Sequence, residues 1–403
     1  MLTSLAWKNV WRNHKRSAII IAAITFGLWG GLLAGAIMMG WGESMVSTAI
    51  DRDLGHIQIH KPGFTADHDI NDYIPDAEQI VAHIDSMSNI AGVSGRTIVM
   101  AMAASPTSTF GVQVDGINPA QAQSVTKIDE LIKEGAYLAP DSRNKVIIGA
   151  KLADRLNLKL HSKMVLSFTA LDSTMVSAAF RIEGIYKSTA TTFDESRVFV
   201  NQTDLTRLLG GTAVVHEIAV RITNSDLMPI ISSELQKQYP KLAVETWKEL
   251  APEIAATVSA TSLWSYIFVG IILLALIFGI TNTMLMAVME RIHELGILIG
   301  IGMRRRRVFS MIVLETVMLS LSGGAGGLIL GAVTVQILSH TGVDFSSFSA
   351  SLESFGVAAV LYPFLPLTMY IVLMVMLLTA AIIGASLPAW KAIHLKPSEA
   401  IRN

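Results

Sequence analysis

Four stretches of the chain contain almost no charge. The first lies between Arg16 and Glu43 and opens SAIIIAAITFGLWGGLLAGAIMMGW; the second runs from Ile254 to Met289. The third follows Arg307, is interrupted by Glu315 alone and ends before Asp344; the fourth separates Glu353 from Lys391. Each exceeds the roughly 20 apolar residues that cross a hydrocarbon core of about 30 Å. The pattern predicts spanning helices at 17–42, 254–289, 308–338 and 367–390, with the last starting only after Pro363 and Pro366, because an internal proline breaks the helical ladder. The second run would form a helix of about 54 Å, longer than a bilayer needs. Its mild opening, IAATVSATS, and the lack of Gly or Pro before Gly270 predict a stiff stalk continuing out of the membrane.

Between the first two runs the period changes. GHIQIHKP alternates as a strand does, residues 76–88 carry Ile80, Val81 and Ile84 at helical spacing, and VSGRTIVMAMA is extended again. HEIAVRIT, a helix around LMPIISSELQKQY, and KLAVETW repeat that order. Two β-α-β halves so far apart predict a split ferredoxin-like subdomain. The inserted residues, about 106–215, predict a mostly-β subdomain from GVQVDGI, KVIIGAKLADRLNL, MVLSF, AAFRIEGIY and SRVFVN. The expected fold is a membrane protein with four transmembrane helices and a large α+β extracytoplasmic domain, 43–253, between helices 1 and 2.

Composition agrees: 51% of residues are hydrophobic and 16% charged. The net charge of −1 gives no reason to expect nucleic acid, and the absence of cysteine excludes disulfides and cysteine-built metal sites. Outside 43–253 the basic residues are Lys8, Arg12, Lys15 and Arg16; Arg291 and Arg304 to Arg307; and Lys391, Lys396 and Arg402. The loop 339–366 has no Lys or Arg. By the positive-inside rule the segment 1–16, the segment 290–307 and the tail 391–403 are expected in the cytoplasm. The first run is too long for a signal-peptide core and no clear A-x-A site ends it, so it is expected to be an uncleaved anchor. Trp41, Trp264, Tyr370 and Trp390 fall near the expected water boundaries. Leu2, Leu5, Ala6, Trp7, Val10 and Trp11 share one helical face, readable either as a helix lying along the inner surface or as ordinary basic flanking sequence.

Candidate chemistry is sparse. No G-x-x-x-x-G-K-[ST] and no G-x-S-x-G occurs, and His216-Glu217 and His293-Glu294 each lack the second His of a zinc-hydrolase helix. No catalytic residue, metal site or cofactor is expected in this chain. Gly27, Gly31 and Gly35, and Gly323, Gly327 and Gly331, each repeat G-x-x-x-G twice, predicting helix-packing faces whose partner is the same chain or a second copy. Glu315 lies about 12 Å along the third span and is expected to pair inside a helix contact or to reach water. Met38, Met39, Trp41, Leu263, Trp264 and Ile267, at the outer ends of the first two spans, are candidates for a cleft that takes acyl chains.

The segment MERIHELGILIGIGMRRRRV, the ending LPAWKAIHLKPSEAIRN, the opening WKNVWRNHKRSA and the external GHIQIHKPGF together resemble the MacB/FtsX (type VII) superfamily of ABC transporter permeases. The resemblance covers the whole chain, with small departures at Ile299, Gly300 and Ile401. It implies that 290–307 couples to a separate cytoplasmic ABC ATPase dimer, which holds ATP and Mg²⁺. On this analogy Glu290, Arg291, Glu294, Gly296 and Gly302 carry the contact, and Ile292, Leu295 and Ile299 are expected to press into the partner. The layout is most similar to the lipoprotein-releasing LolC and LolE permeases. It implies extraction of lipoproteins or lipid-like cargo from the outer leaflet of the bacterial inner membrane, with a second permease and a periplasmic acceptor or adaptor. MacB-like efflux of drugs or peptides and FtsX-like signalling to a cell-wall hydrolase are the family alternatives. A membrane-anchored sensor without an ATPase is the alternative outside the family.

Overall fold

The computed structural model describes residues 7, 10–12, 14–140, 142–348 and 360–394. Leu2, Leu5, Ala6 and Lys8, the middle of the 339–366 loop, and Lys396 and Arg402 lie outside the described residues. The chain divides into a helical unit (1–43, 259–344 and 360–403) and a sheet unit (44–258 with 345–359).

In the helical unit, α1 spans His14–Ala49, α2 Pro252–Glu290, α3 Ile292–Gly300, α4 Arg305–Thr341 and α5 Leu367–Ile393. Four of these, all but α3, are long and apolar enough to cross a membrane. Small residues set how closely they pack. A Cβ at Gly323 would stand 2.8 Å from Ile24 Cβ, at Gly327 2.9 Å from Leu28 Cβ, and at Gly331 2.4 Å from Leu32 Cδ1. The α4 glycines therefore form a flat track for an α1 row at the same four-residue spacing. Thr25 Oγ1 donates to the Gly323 carbonyl at 2.9 Å, and Thr281 Oγ1 of α2 donates likewise to Gly384 of α5 at 2.9 Å. The other α1 track faces elsewhere: Gly27 and Gly31 face Leu276 and Ile272 of α2, and Gly35 faces Leu365. Helix α5 begins directly after Pro366. The chain ahead of it lies against α1, where Phe364 N–H donates to the Ala36 carbonyl at 3.2 Å and Gly40 leaves room for the Tyr362 carbonyl.

Among the described residues the sheet unit has ten strands: β1 (Ile57–His60), β2 (Ile90–Ala104), β3 (Thr109–Ile117), β4 (Ile132–Gly135), β5 (Lys145–Gly149), β6 (Lys163–Thr169), β7 (Met175–Tyr186), β8 (Arg197–Asn201), β9 (Glu217–Ile222) and β10 (Ala243–Thr246). The order β10-β1-β9-β2, with helices at Ala77–Asp85 and Met228–Gln238, is the split ferredoxin-like half. Its core includes Ile57, Ile59, Ile84, Ile218 and Leu235. β2 is long enough to serve twice: residues 90–96 pair with β9, while residues 96–104 pair with β3 and 102–104 with β6. From β2 the pairing runs through β3, β8, β5, β7 and β6 and returns to β2. The inserted subdomain thus closes on itself, which leaves these strands little free edge. Val114, Ile148, Leu166, Phe180 and Val198 lie in its core.

Helix α1 ends in a five-residue π-helical turn, Ile50–Leu54, that carries a buried charge network. Asp53 accepts from Arg96 of β2 at 3.1 Å and from Arg197 of β8 at 2.8 Å; Arg96 also donates to Glu217 of β9 at 2.8 Å, and Arg197 to Asp115 of β3 at 3.0 Å. Burial alone would lower the affinity of Arg197 for its proton, but Asp53, Asp115 and Glu217 raise it above the ordinary value. Burial pushes the Glu217 carboxyl up despite Arg96. Asp53 therefore ties one turn of helix to strands of both halves. Gly55 then turns the chain into β1 at φ +62°, where a Cβ would meet the Val220 carbonyl at 2.9 Å.

Candidate docking site around residues 290–307

Helix α2 stops at Glu290, and Arg291, at φ −107°, breaks the helical path before α3 begins. Helix α3 ends in a Schellman motif: Met303 N–H donates to the Leu298 carbonyl at 3.0 Å and Gly302 N–H to Ile299 at 3.0 Å. Gly302 stands at φ +96° in open space, the left-handed conformation this cap requires and a glycine adopts without strain. Its first contribution is thus to end α3 and turn the chain toward α4, with Arg304 to Arg307 exposed at the entry.

The face of α3 expected to meet a partner is the one the chain covers itself. Leu295 is 6% exposed, and Ile299 and Leu298 pack against the core of the helical unit; Gly296 is buried beside them. The outward side carries Ile297 and Ile301, 45% and 78% exposed, with Glu290 and His293 also exposed. Of the face expected to press into a partner, Leu295 is taken into the chain's own core, while Ile292 and Ile299 are half-buried. The physical reason is that α3 is apolar on two sides, and the side continuous with Val288 and Val308 joins the core they already form.

The charged residues also turn back on the chain. Arg291 Nη1 donates to Glu315 of α4 at 3.2 Å, with side chains 16% and 11% exposed. Arg12 Nη2 donates to both Glu294 oxygens, at 2.8 and 2.6 Å, and that pair is about half exposed. The two pairs border a cleft of about 380 Å³ whose apolar wall includes Met284, Val288, Leu298, Met311 and Ile312. Glu315 is thus a buried carboxylate opposite an arginine, and removing either partner would leave a poorly solvated charge.

The six residues expected to line an acyl cleft do not share one orientation. Met39 packs into the helical core, and Met38 and Trp41 are half-buried. Leu263, Trp264 and Ile267 turn outward along α2, with Ile271, Leu274 and Phe278 continuing the exposed stripe. A shallow apolar groove of about 260 Å³ lies between α2 and α5 at Gly270, Leu274, Ile277, Met376 and Ile383. Sequence reading missed the Arg12 contact, the Thr25 and Thr281 hydrogen bonds and the close approach at Gly40. Only Ile297 and Ile301, four residues apart, left a local signal. Among the described residues no group of three or more His, Cys, Asp or Glu side chains is placed to hold a metal ion.

Comparison with known proteins supplies the context. The MacB-like periplasmic core domain matches residues 17–238, more than half the chain, and the FtsX-like permease C-terminal domain matches 266–397. An uncharacterized ABC transporter permease of Methanocaldococcus jannaschii is 24% identical over 216 residues, 51% of this chain and 52% of that protein. The pyoverdine export ATP-binding/permease protein PvdT of Pseudomonas fluorescens is 24% identical over 380 residues, 90% of this chain and 56% of its own length. The macrolide export ATP-binding/permease protein MacB of Brucella abortus is 27% identical over 168 residues, 39% of this chain and 26% of that one. The chain therefore spans about half the length, or less, of these relatives. Among solved structures, the periplasmic region of MacB from Actinobacillus actinomycetemcomitans aligns with a TM-score of 0.36 at 15% identity, covering 51% of this chain and 94% of that one.

Proposed function

Because the chain belongs to the MacB/FtsX family of type VII ABC transporter permeases, a multi-pass membrane protein, we propose that it passes the work of a cytoplasmic ABC ATPase dimer to its sheet unit. The sheet unit stands on the extracytoplasmic side, both termini and α3 are cytoplasmic, and ATP and Mg²⁺ are bound by the ATPase. The reading rests on one observation: α3 lies between two membrane-length helices, yet leaves Ile297 and Ile301 uncovered. Burying one such side chain contributes about 1.5–3 kcal/mol, enough for a partner's groove to select it. Replacing Ile301 by Glu alters a side chain with open space around it, so folding should survive. Association with the ATPase should weaken roughly tenfold or more, as read by co-purification or biolayer interferometry. Unchanged association would remove α3 as the docking element.

For the cargo, we infer lipoproteins or other lipid-like molecules taken from the outer leaflet of the bacterial inner membrane. In support, the spans offer apolar surfaces, including the outward stripe of α2 and the groove beside α5, and such surfaces suit acyl chains better than hydrophilic solutes. A second permease copy or homologue would complete the pair, and a periplasmic acceptor or adaptor would receive the cargo. Adaptor-linked efflux is the second reading, favoured by the match to a pyoverdine export protein over 90% of this chain. Capture of lipid-modified cargo at Trp264 separates the two.

A further inference from the structure

The carboxylate that sequence reasoning assigns to the ATPase is already engaged inside the chain. Glu294 takes two hydrogen bonds from Arg12, while Arg291, one turn earlier, donates to Glu315 on the border of the same cleft. The start of α3 is therefore tied to two other elements, the segment ahead of α1 and α4. The two holds differ in kind. Arg291–Glu315 is sheltered and Arg12–Glu294 is wet, and an exposed pair shifts a population by no more than about fivefold. A contact of that size biases an angle; it does not hold a fold together. Beside Arg12, the Trp7 and Trp11 rings meet edge to face at 5.7 Å and are both nearly half exposed, as indoles at a headgroup boundary are.

We propose that Arg12 is a positioning residue for the docking helix: acting through Glu294, it fixes the angle at which α3 presents Ile297 and Ile301, and Glu294 serves the chain itself instead of the partner. This rests on the reading of α3 as the ATPase-docking element. The tryptophans make the membrane surface the reference from which Arg12 sets that angle.

The test uses the full chain in lipid nanodiscs, as wild type, Arg12→Glu, Glu294→Arg and the double reversal. The sequence has no cysteine, so spin labels on Lys15→Cys, exposed at the start of α1, and Ile301→Cys report one distance with no ATPase present. Wild type and the double reversal should give a narrow distribution, and each single reversal a broad one. In unlabelled protein, each single reversal should weaken binding of the ATPase that co-purifies with wild type by roughly two- to fivefold, and the double reversal should restore it. If the double reversal regains the narrow distance yet still binds weakly, Glu294 touches the partner and the proposal falls. Narrow distances in both single variants also overturn it. A wild-type chain that binds no ATPase defeats the docking reading itself, while the distances still decide whether Arg12 orients α3.

Discussion

At the residue scale, Asp53 is 6% exposed between two arginines. Replacing it by Ala would leave Arg96 buried and Arg197 half-buried, each with one acceptor fewer. The expected loss is about 3–5 kcal/mol of sheet-unit stability, measurable by thermal unfolding in detergent; a melting point equal to wild type would show that water fills the gap. His56 provides a pH test. Burial first, and Arg221 second, lower its pKa from 6.5 to about 4; it accepts a hydrogen bond from Ile222 N–H at 3.4 Å and lies 3.2 Å from Ser225 Oγ. The unfolded chain takes up this proton first, so His56 costs stability as pH falls from about 6.5 toward 4, by at most about 1.4 kcal/mol per unit. Glu217, whose pKa is raised by burial, acts with the opposite sign, so the measurement is a difference: His56→Gln should lose less stability than wild type between pH 6.5 and 4.5, and parallel curves would refute the assignment. None of this network was legible in the sequence. Asp53, Arg96, Asp115, Arg197 and Glu217 come from five separate segments, and no local period connects them.

Elements were far more legible, because helix and strand periods are local properties. The four long helices and most strands followed from charge gaps and alternation; of the two glycine tracks, Gly323, Gly327 and Gly331 stand at close approach, while Gly31 and Gly35 make ordinary contact. What spacing could not supply was the neighbour. The α4 track meets α1 and the α1 track meets chiefly α2, both within one chain, and that depends on how four helices assemble. A Cβ at Gly327 would lie 2.9 Å from both Leu28 Cβ and the Thr25 carbonyl. Gly327→Ala should therefore force α1 and α4 apart at a cost of about 1–3 kcal/mol, whereas Gly30→Ala, with nothing within 4 Å, should be neutral or slightly stabilising. Equal melting points for the two variants would remove the close-packing account. Helix α3 meets the same limit: apolar on two sides, it gives no local cue that Leu295 would join the core. Helix α2 gives a mechanical test. It is continuous over 39 residues, and if the proposed coupling holds, three glycines inserted within 257–262 should leave the partner's ATP hydrolysis intact while abolishing cargo movement. Transport at the wild-type rate through such a joint would show that stiffness is dispensable.

At the scale of the whole molecule, the two ends of α2 can be questioned separately. Trp264 and Met286 are both exposed and about 33 Å apart along the helix. Under the proposal of lipid-like cargo, a photo-crosslinker at Trp264 should capture lipid-modified molecules in the absence of ATP and lose them when ATP is trapped; capture at Met286 instead would overturn entry from the outer leaflet. The sheet unit has a consequence in time as well as in space. Among the described residues β1 pairs only with β9 and β10, so its four residues must wait while everything from Lys61 to His216 is synthesised. At roughly 5–20 residues per second that interval is on the order of ten seconds or more. The strands from β2 to β8 can meanwhile close their own ring and complete a core. The inserted subdomain should thus be the first part of the sheet unit to resist protease during synthesis, and residues 44–89 the last, remaining a client for holding chaperones until β9 emerges. A nascent chain halted just before His216 would separate the two by limited digestion.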